Sequence, residues 1–269
     1  MLKGEVIGKG RTAEVIYWGN NKVLKLFYKK ISSEYIDYQY KVDSIVGNIF
    51  PKCPKTFDRI VENNRIGIIY EYIEGTELRE FMGKSIKSIS KFLKRLAELH
   101  VEMHENEINN INSQFQHFEN GIQRTDSLDA NQKREIIKYL KMLPDGNVIC
   151  HGDFHVENVI ISKNTLYVMD WSNAYSGNQN GDVARTYYVL KHGLAPSDEI
   201  FLKKSFLHRF LFKRIKSLTA KIYIKHYMKL SGISLKDIRM WDLVVYAARL
   251  SEPIPLEYDN LLKMIKKLL

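Results

Sequence analysis

Cysteine is scarce in this chain: 269 residues contain only Cys53 and Cys150, far apart and in no CxxC pattern. That argues against a disulfide scaffold and suits free thiols in a reducing cytoplasm. Long apolar runs are missing too. No stretch reaches the roughly eighteen residues that a membrane span needs. The opening MLKGEVIGKG carries no apolar core of a secretory signal. Low-complexity blocks and internal repeats are absent. Acidic residues thin out towards the end: residues 191–269 hold 16 Lys+Arg against 7 Asp+Glu, whereas residues 1–190 hold 25 against 24.

What remains is an ordinary globular composition, 45% hydrophobic and 27% charged, in a chain long enough for one large domain or two lobes. The basic end could attract nucleic acid or another anion. However, FLKKSFLHRFLFKRIKSLTAKIYIKHYMKL (201–230) alternates charge and apolar residues at helical spacing, which fits the solvated faces of packed helices with their aromatics in the core. A nucleic-acid or membrane partner is not expected.

The first seventy residues are β-rich. Val6–Ile7, Glu14–Trp18 and Lys22–Phe27 are short runs broken by Gly8-Lys9-Gly10 and by Gly19-Asn20-Asn21. Ser32-Ser33 opens a helix that Gly47 stops. Lys55–Val61 and Arg65–Tyr72 flank Glu62-Asn63-Asn64 as a second hairpin. The order β-β-β-α-β-β predicts a twisted antiparallel sheet with one helix. After Gly75 the periodicity changes. Ile89, Phe92, Leu93, Leu96, Leu99 and Met103 share one helical face, and a second helix runs from about Asp129 to Leu143. Short β runs follow at Val148–Cys150, Val159–Ser162 and Thr165–Met169, and the chain is then almost wholly helical from Gly181. The expected architecture is α+β and bilobal, with a small β lobe at 1–74 and a larger, mainly helical lobe at 75–269.

HGDFHVENVIISKNTLYVMDW (151–171) concentrates ionisable groups between short strands. A polar turn, a zinc cluster and a phosphoryl-transfer loop are the candidate readings. His151 and His155 lie four apart on a loop with no third soft ligand in place, so the usual zinc spacings are absent. Asp153 projects from a tight loop after Gly152. Asn158 precedes one β run and Asp170 ends the next, so a hairpin brings them to one end. An amide oxygen and a carboxylate there are hard ligands suited to Mg²⁺ carrying phosphate oxygens, and Asp153 would accept a hydroxyl proton. His151 reads better as loop packing than as a proton shuttle.

Upstream, Gly8 and Gly10 in IGKGRTAEV form a glycine-bearing hairpin whose N–H groups could approach phosphates. Lys25 follows inside the apolar run VLKLF, where a lysine is costly unless paired. A glycine loop, a strand lysine, an Asp-x4-Asn loop and an Asp after a strand, in that order, favour phosphoryl transfer.

Over roughly residues 4–190 the chain resembles the aminoglycoside phosphotransferase and choline-kinase-like family, relatives of the protein kinases. The resemblance is carried by VLKLF, IIYEYIEGTEL (68–78), LAELHVEMH (96–104), HGDFHVEN (151–158), VMDWSNA (168–174) and GDVARTYYVL (181–190). It implies a protein-kinase-like fold and ATP, or GTP, as phosphate donor. It implies Asp153 as catalytic base, Asn158 and Asp170 as Mg²⁺ ligands, and Lys25 on the α/β-phosphates. Glu71 and Tyr72 would form the hinge that binds adenine through backbone groups, and Asp182 would brace the HGD loop. Two departures stand out. Gln39 occupies the place expected of the helix glutamate that pairs with the lysine, with Glu34 a turn earlier as a substitute. The basic C-terminal end favours a neutral or anionic small-molecule hydroxyl acceptor over a polycation, unless an acidic pocket forms around Glu119, Asp126 and Asp129. The short link WSNAYSGNQNGD after Asp170, with no activation-segment motif, also favours small molecules.

Overall fold

A computed structural model describes residues 4–81, 86–194, 198 and 205–269. In chain order the first elements are β1 Val6–Lys9, β2 Ala13–Gly19, β3 Lys22–Phe27, α1 Ser33–Ile49, β4 Thr56–Glu62, β5 Arg65–Glu71 and β6 Thr76–Glu77. A short turn of helix, α2 Leu78–Phe81, precedes α3 Ile86–His104, α4 Gln114–Arg124 and α5 Ala130–Leu140. Then come β7 Val148–Cys150, β8 Val159–Ser162, β9 Thr165–Val168 and β10 Tyr175–Gly177. The chain ends with α6 Gln179–His192, α7 Phe206–Ser231, α8 Leu235–Arg239, α9 Asp242–Arg249 and α10 Pro255–Leu268.

The chain divides into two compact units: Met1–Glu80 with Val156–Asn173, and Phe81–His155 with Ala174–Leu269. The sequence boundary at 74/75 falls a little before the end of the first segment. Sequence periodicity gave no sign that Val156–Asn173 returns to the first unit.

In the first unit an antiparallel sheet runs β1-β2-β3-β5-β4. Both of its tight hairpins place two asparagines in the left-handed region, Asn20 and Asn21 at φ 50° and 57° and Asn63 and Asn64 at the same angles. That is the twist-matched turn that Asn tolerates best after Gly. One face of the sheet buries Ala13, Phe27 and Ile68 with Ile36 of α1. Ile16, Leu24, Leu26 and Ile69 form a second cluster. Ser32 caps α1 by accepting the Tyr35 N–H at 3.3 Å. A smaller sheet, β6-β8-β9, completes the unit. Its two-residue edge strand β6 is too short to leave a periodic signal.

In the second unit α3 and α6 pack on α7, and α4 packs on α9. The face expected for α3 is correct at Leu93, Leu96, Leu99 and Met103, all buried. Within 105–130 the chain forms α4, started by a reciprocal capping box between Ser113 and Gln116. The expectation for 201–230 holds only in part. Tyr223 and Tyr227 are in the core, but Phe206, Leu207, Phe210 and Leu211 are exposed; positions 201–204 lie outside the described residues. Glu119 lines a groove of about 580 Å³ whose other charged residues are Lys133, Arg134, Lys138 and Lys141. Asp129 is occupied as the N-cap of α5, so neither residue marks an acidic pocket. Both cysteines are buried free thiols. Among the described residues no helix is long and apolar enough to cross a membrane.

Candidate active site

Most of the residues expected to handle a nucleotide lie in the first unit. Lys25 stands on β3 between fully buried Leu24 and Leu26. The pleat turns its side chain away from theirs and leaves it 18% exposed, with Nζ 3.1 Å from Asp170 Oδ1. Burial works against the lysine's charge, but Asp170 and Asp43 outweigh it and raise its pKa.

Asp43 is the carboxylate that the sequence reading missed. It sits on α1, buried, and accepts a 2.5 Å hydrogen bond from the Tyr70 hydroxyl. Burial pushes its pKa up to about 6, against the pull of Lys25, Tyr70 and Gln39. Gln39, also buried, therefore supports this carboxylate and does not replace it; its own carbonyl oxygen has no partner among the described residues. Glu34 is excluded as the lysine's partner: it is exposed in the first turn of α1, where its own backbone amide and Ser32 lower its pKa. The acid lies one turn beyond Gln39. The available signal was that Ile36, Gln39, Val42, Asp43 and Val46 form one buried stripe, and an acid on such a stripe needs a partner.

The β8–β9 hairpin places the two expected metal ligands. Val159 pairs with Val168, and the Met169 N–H donates to the Asn158 carbonyl at 2.8 Å. Asn158 and Asp170 therefore flank the same end of the hairpin. Asp170 is held at φ 58°, a conformation that costs most non-glycine residues more than it costs Asp or Asn. The following residue anchors it: Trp171 is buried, donates Nε1–H to the Val168 carbonyl at 3.2 Å, and packs edge-on against Phe50 at 5.9 Å. The Asp170 carboxylate is half exposed. A carboxylate and an amide oxygen at one hairpin end are a donor set that fits Mg²⁺.

Gly8 and Gly10 flank the turn between β1 and β2, where the Gly10 N–H donates to the Ala13 carbonyl at 2.9 Å. Glu71 and Tyr72 close β5, but their own amides are engaged: the Glu71 N–H donates to the Lys55 carbonyl and the Tyr72 N–H to the Asn21 carbonyl. Neither amide is thus offered to a base.

Asp153 belongs to the second unit. After β7, His151 is fully buried and its Nδ1 accepts the Asp153 N–H at 3.2 Å, the loop-packing role expected of it. Gly152 takes φ 74°, which glycine allows without strain. Asp182, in the first turn of α6, accepts the His151 N–H at 2.7 Å and the Gly152 N–H at 2.9 Å. His100 and His104 also reach its Oδ2, at 3.1 and 3.4 Å. Tyr223 and Tyr227 hydroxyls meet the Nδ1 atoms of these histidines at 2.5 and 2.8 Å. With the hydroxyls donating to Nδ1, each imidazole turns its Nε2–H towards Asp182. These three side chains lie close enough to hold a metal, but the arrangement is a closed hydrogen-bond network. Burial opposes the charge on Asp182, yet the two histidines hold its pKa well below the carboxylate range.

The Asp153 side chain is 21% exposed. Arg185 of α6 donates from Nη2 to its Oδ1 at 2.9 Å, and His155 Nε2 lies 3.4 Å from Oδ2. Burial alone would raise its pKa, but Arg185 and His155 take it well below the usual value. Asp153 is therefore an anion at neutral pH. Sequence reasoning gave no role to Arg185, although it stands three residues after Asp182 on the same helix.

A sheet unit with a carboxylate-paired strand lysine and a helical unit with a braced, ionised HGD aspartate are the parts of a protein-kinase-like fold. The chain belongs to the phosphotransferase enzyme family, whose model matches residues 4–204. A curated relative, a "Protein LicA homolog" of Mycoplasma capricolum, is 27% identical over 140 residues, which is 48% of this chain and 55% of that protein. An uncharacterized protein of Metamycoplasma hominis is 32% identical over 119 residues, 43% of this chain and 23% of its own length. The chain thus spans about half or less of the curated relatives it matches. Among solved structures, an aminoglycoside-3'-phosphotransferase of type VIII superposes with a TM-score of 0.63 at 11% identity, covering 91% of this chain and 93% of the other. An ethanolamine kinase of Plasmodium vivax gives 0.60 at 13%, covering 99% and 81%. An aminoglycoside phosphotransferase of Streptomyces rimosus, in complex with ADP and streptomycin, gives 0.57 at 14%, covering 89% and 90%. These likenesses establish the fold.

Proposed function

We propose that the protein transfers the γ-phosphate of ATP, with GTP as a possible alternative, to a hydroxyl of a small molecule in the cytoplasm, with Mg²⁺. The observation that carries this reading is the 3.1 Å contact between Lys25 and Asp170, two residues 145 positions apart that the reaction needs together. Lys25 exchanges part of its contact with Asp170 for the α/β-phosphates, while Asp43 keeps its charge balanced. Asn158 and Asp170 hold Mg²⁺, which when bound neutralises phosphate charge. Glycine at 8 and 10 has no internal cause, since an added Cβ would meet only ordinary contacts at 3.6 Å or beyond. Close approach of a phosphate supplies one. With the Glu71 and Tyr72 amides engaged, an adenine amino group would turn to a carbonyl of that segment.

Asp153 accepts the hydrogen bond of the acceptor hydroxyl and orients its oxygen. Its low pKa makes it an orienting group that takes the proton late. The excess of 16 basic over 7 acidic residues in 191–269 favours a neutral or anionic acceptor. Gln39 in place of the expected helix glutamate would favour a nucleotide-binding pseudoenzyme, but the carboxylate of Asp43, one turn on, takes that motive away. Calorimetric titration of ATP and GTP with Mg²⁺ into wild type and Asp170→Ala tests the donor half. Binding that the variant loses supports it; a folded wild type that binds neither nucleotide overturns it. A hydroxyl-acceptor screen then tests the transfer.

A further inference from the structure

Asp153 heads a chain of buried and part-buried charges that runs into the C-terminal segment as far as Glu257. Arg185, 4% exposed, bridges two carboxylates: Nη2 to Asp153 Oδ1 at 2.9 Å and Nη1 to Glu252 Oε1 at 2.7 Å. Glu252 Oε2 accepts Arg249 Nη1 at 3.0 Å. Arg249 then grips Glu257 with Nε and Nη2 at 2.7 and 2.9 Å. Glu257 is fixed in turn by the Tyr188 hydroxyl at 3.1 Å and the Leu194 N–H at 2.8 Å.

Such a chain is not explained by stability. Apolar residues of similar volume often serve a core as well as a buried ion pair or better, because the charges must be stripped of water. What an arginine supplies that an apolar residue cannot is a planar fork holding two carboxylates in fixed directions. The chain begins at the carboxylate that receives the acceptor hydroxyl. Moreover, Arg249, Glu252 and Glu257 lie beyond residue 204, outside the part of the chain that the family model matches. This end of the protein therefore brings its own means of setting the base.

We propose that Arg185 is a positioning residue for Asp153, fixing the carboxylate that receives the acceptor hydroxyl, and that Glu252 holds Arg185 in place from the C-terminal segment. The inference rests on the phosphotransferase reading for its purpose, but not for its test. The charged groups acting on Asp153 include Arg185, His155, the more distant Arg249 and, as a like charge, Glu252. One fork oxygen is thus committed to Arg185, and the other faces His155.

Two readouts separate the clamp from the reaction. The first is the carboxyl carbon of Asp153, followed by NMR against pH in aspartate-labelled protein and assigned by its loss in Asp153→Asn. The second is slow Mg²⁺-ATP hydrolysis, with water in place of the acceptor. Arg185→Gln should move the Asp153 titration upward by at least one pH unit and lower the hydrolysis rate about 100-fold, with ATP affinity changed less than about threefold. Arg185→Lys should recover part of both. Glu252→Gln should lower the rate by about 10-fold, while the Asp153 titration moves less, because loss of the like charge of Glu252 opposes the loosening of Arg185; its rate decides the matter if Arg185→Gln does not fold. An unchanged Asp153 titration in folded Arg185→Gln, or an unchanged hydrolysis rate in folded Glu252→Gln, overturns the proposal, as does a lower Tm with turnover intact. If wild type neither binds nor hydrolyses ATP, the phosphotransferase reading fails, while the titration still decides whether the clamp exists.

Discussion

Replacing Asp182 by Asn tests how far one buried carboxylate organises the catalytic loop. The change is isosteric and removes only charge and acceptor capacity. Asp182 is fully buried and receives two backbone N–H groups, at 2.7 and 2.9 Å, and two imidazoles at 3.1 and 3.4 Å. An asparagine keeps one oxygen and turns an NH₂ towards donors that cannot accept it. With its oxygen at the Oδ2 place, where three of the four donors converge, the asparagine loses the Gly152 bond, worth about 1.5–3 kcal/mol, and the other three bonds pass to a neutral acceptor, each weakened by about 1 kcal/mol. Relief of the charge's own burial offsets part of this, leaving a net loss of about 2–4 kcal/mol. For a chain of this size, about 2–4 °C per kcal/mol gives a fall of about 5–15 °C in Tm. The sign with pH is fixed by the depressed pKa of Asp182. Its contribution is present above the unfolded value near pH ~4 and is lost as pH falls through the folded value. The difference between wild type and variant should therefore be flat above pH ~5 and narrow below pH ~4. Thermal unfolding followed by circular dichroism across pH 3–8 measures it, with amide exchange at His151 and Gly152 as a local readout. A Tm within about 2 °C of wild type at pH 7, with both amides still protected, would refute the reasoning.

Asp43→Asn should stabilise the protein at pH 8 by about 1–3 kcal/mol, because a carboxyl raised to about 6 stabilises below its unfolded value and loses that contribution as pH rises through 6. Urea titrations at pH 4 and pH 8 check this, and a variant destabilised more at pH 8 than at pH 4 would contradict it. The same variant should bind Mg²⁺-ATP more weakly through a less ordered Lys25. Lys25→Met keeps the apolar stem and should weaken nucleotide binding about 10- to 100-fold by calorimetry while leaving Tm nearly unchanged; an unaltered Kd would remove Lys25 from the phosphate site. Ser113→Ala removes the capping box of α4 and should cost about 1 kcal/mol in urea unfolding, with nucleotide binding intact.

The parts of this molecule that were legible in its sequence are those written locally. Asn-Asn turns set both hairpins, and a lysine inside an apolar strand announced its own need for a partner. The HGD loop and the aspartate after β9 could be placed because each directly follows a short strand. What stayed hidden depends on side chains meeting across long separations. Asp43 differs from the expected position by one helical turn, and only the packing of α1 on Tyr70 shows which turn faces Lys25. The Arg185–Glu252 contact spans 67 residues, and no periodicity encodes it. The return of Val156–Asn173 to the first unit was invisible for the same reason: β6 and β8 pair across some eighty residues, through an edge strand of only two.

That return has a consequence for how the protein is made. During synthesis the first eighty residues emerge as an incomplete body: β6 lacks its neighbour, and Phe50 lacks the indole of Trp171 that packs against it. The Val168 N–H that ends on the Lys52 carbonyl is also still unsynthesised. The N-terminal body can close only after residue 173 has emerged from the ribosome, by which time α3, α4 and α5 have left the tunnel ahead of it. Nascent chains stalled short of that point would carry an open apolar edge, so chaperone capture should be concentrated in that window of elongation.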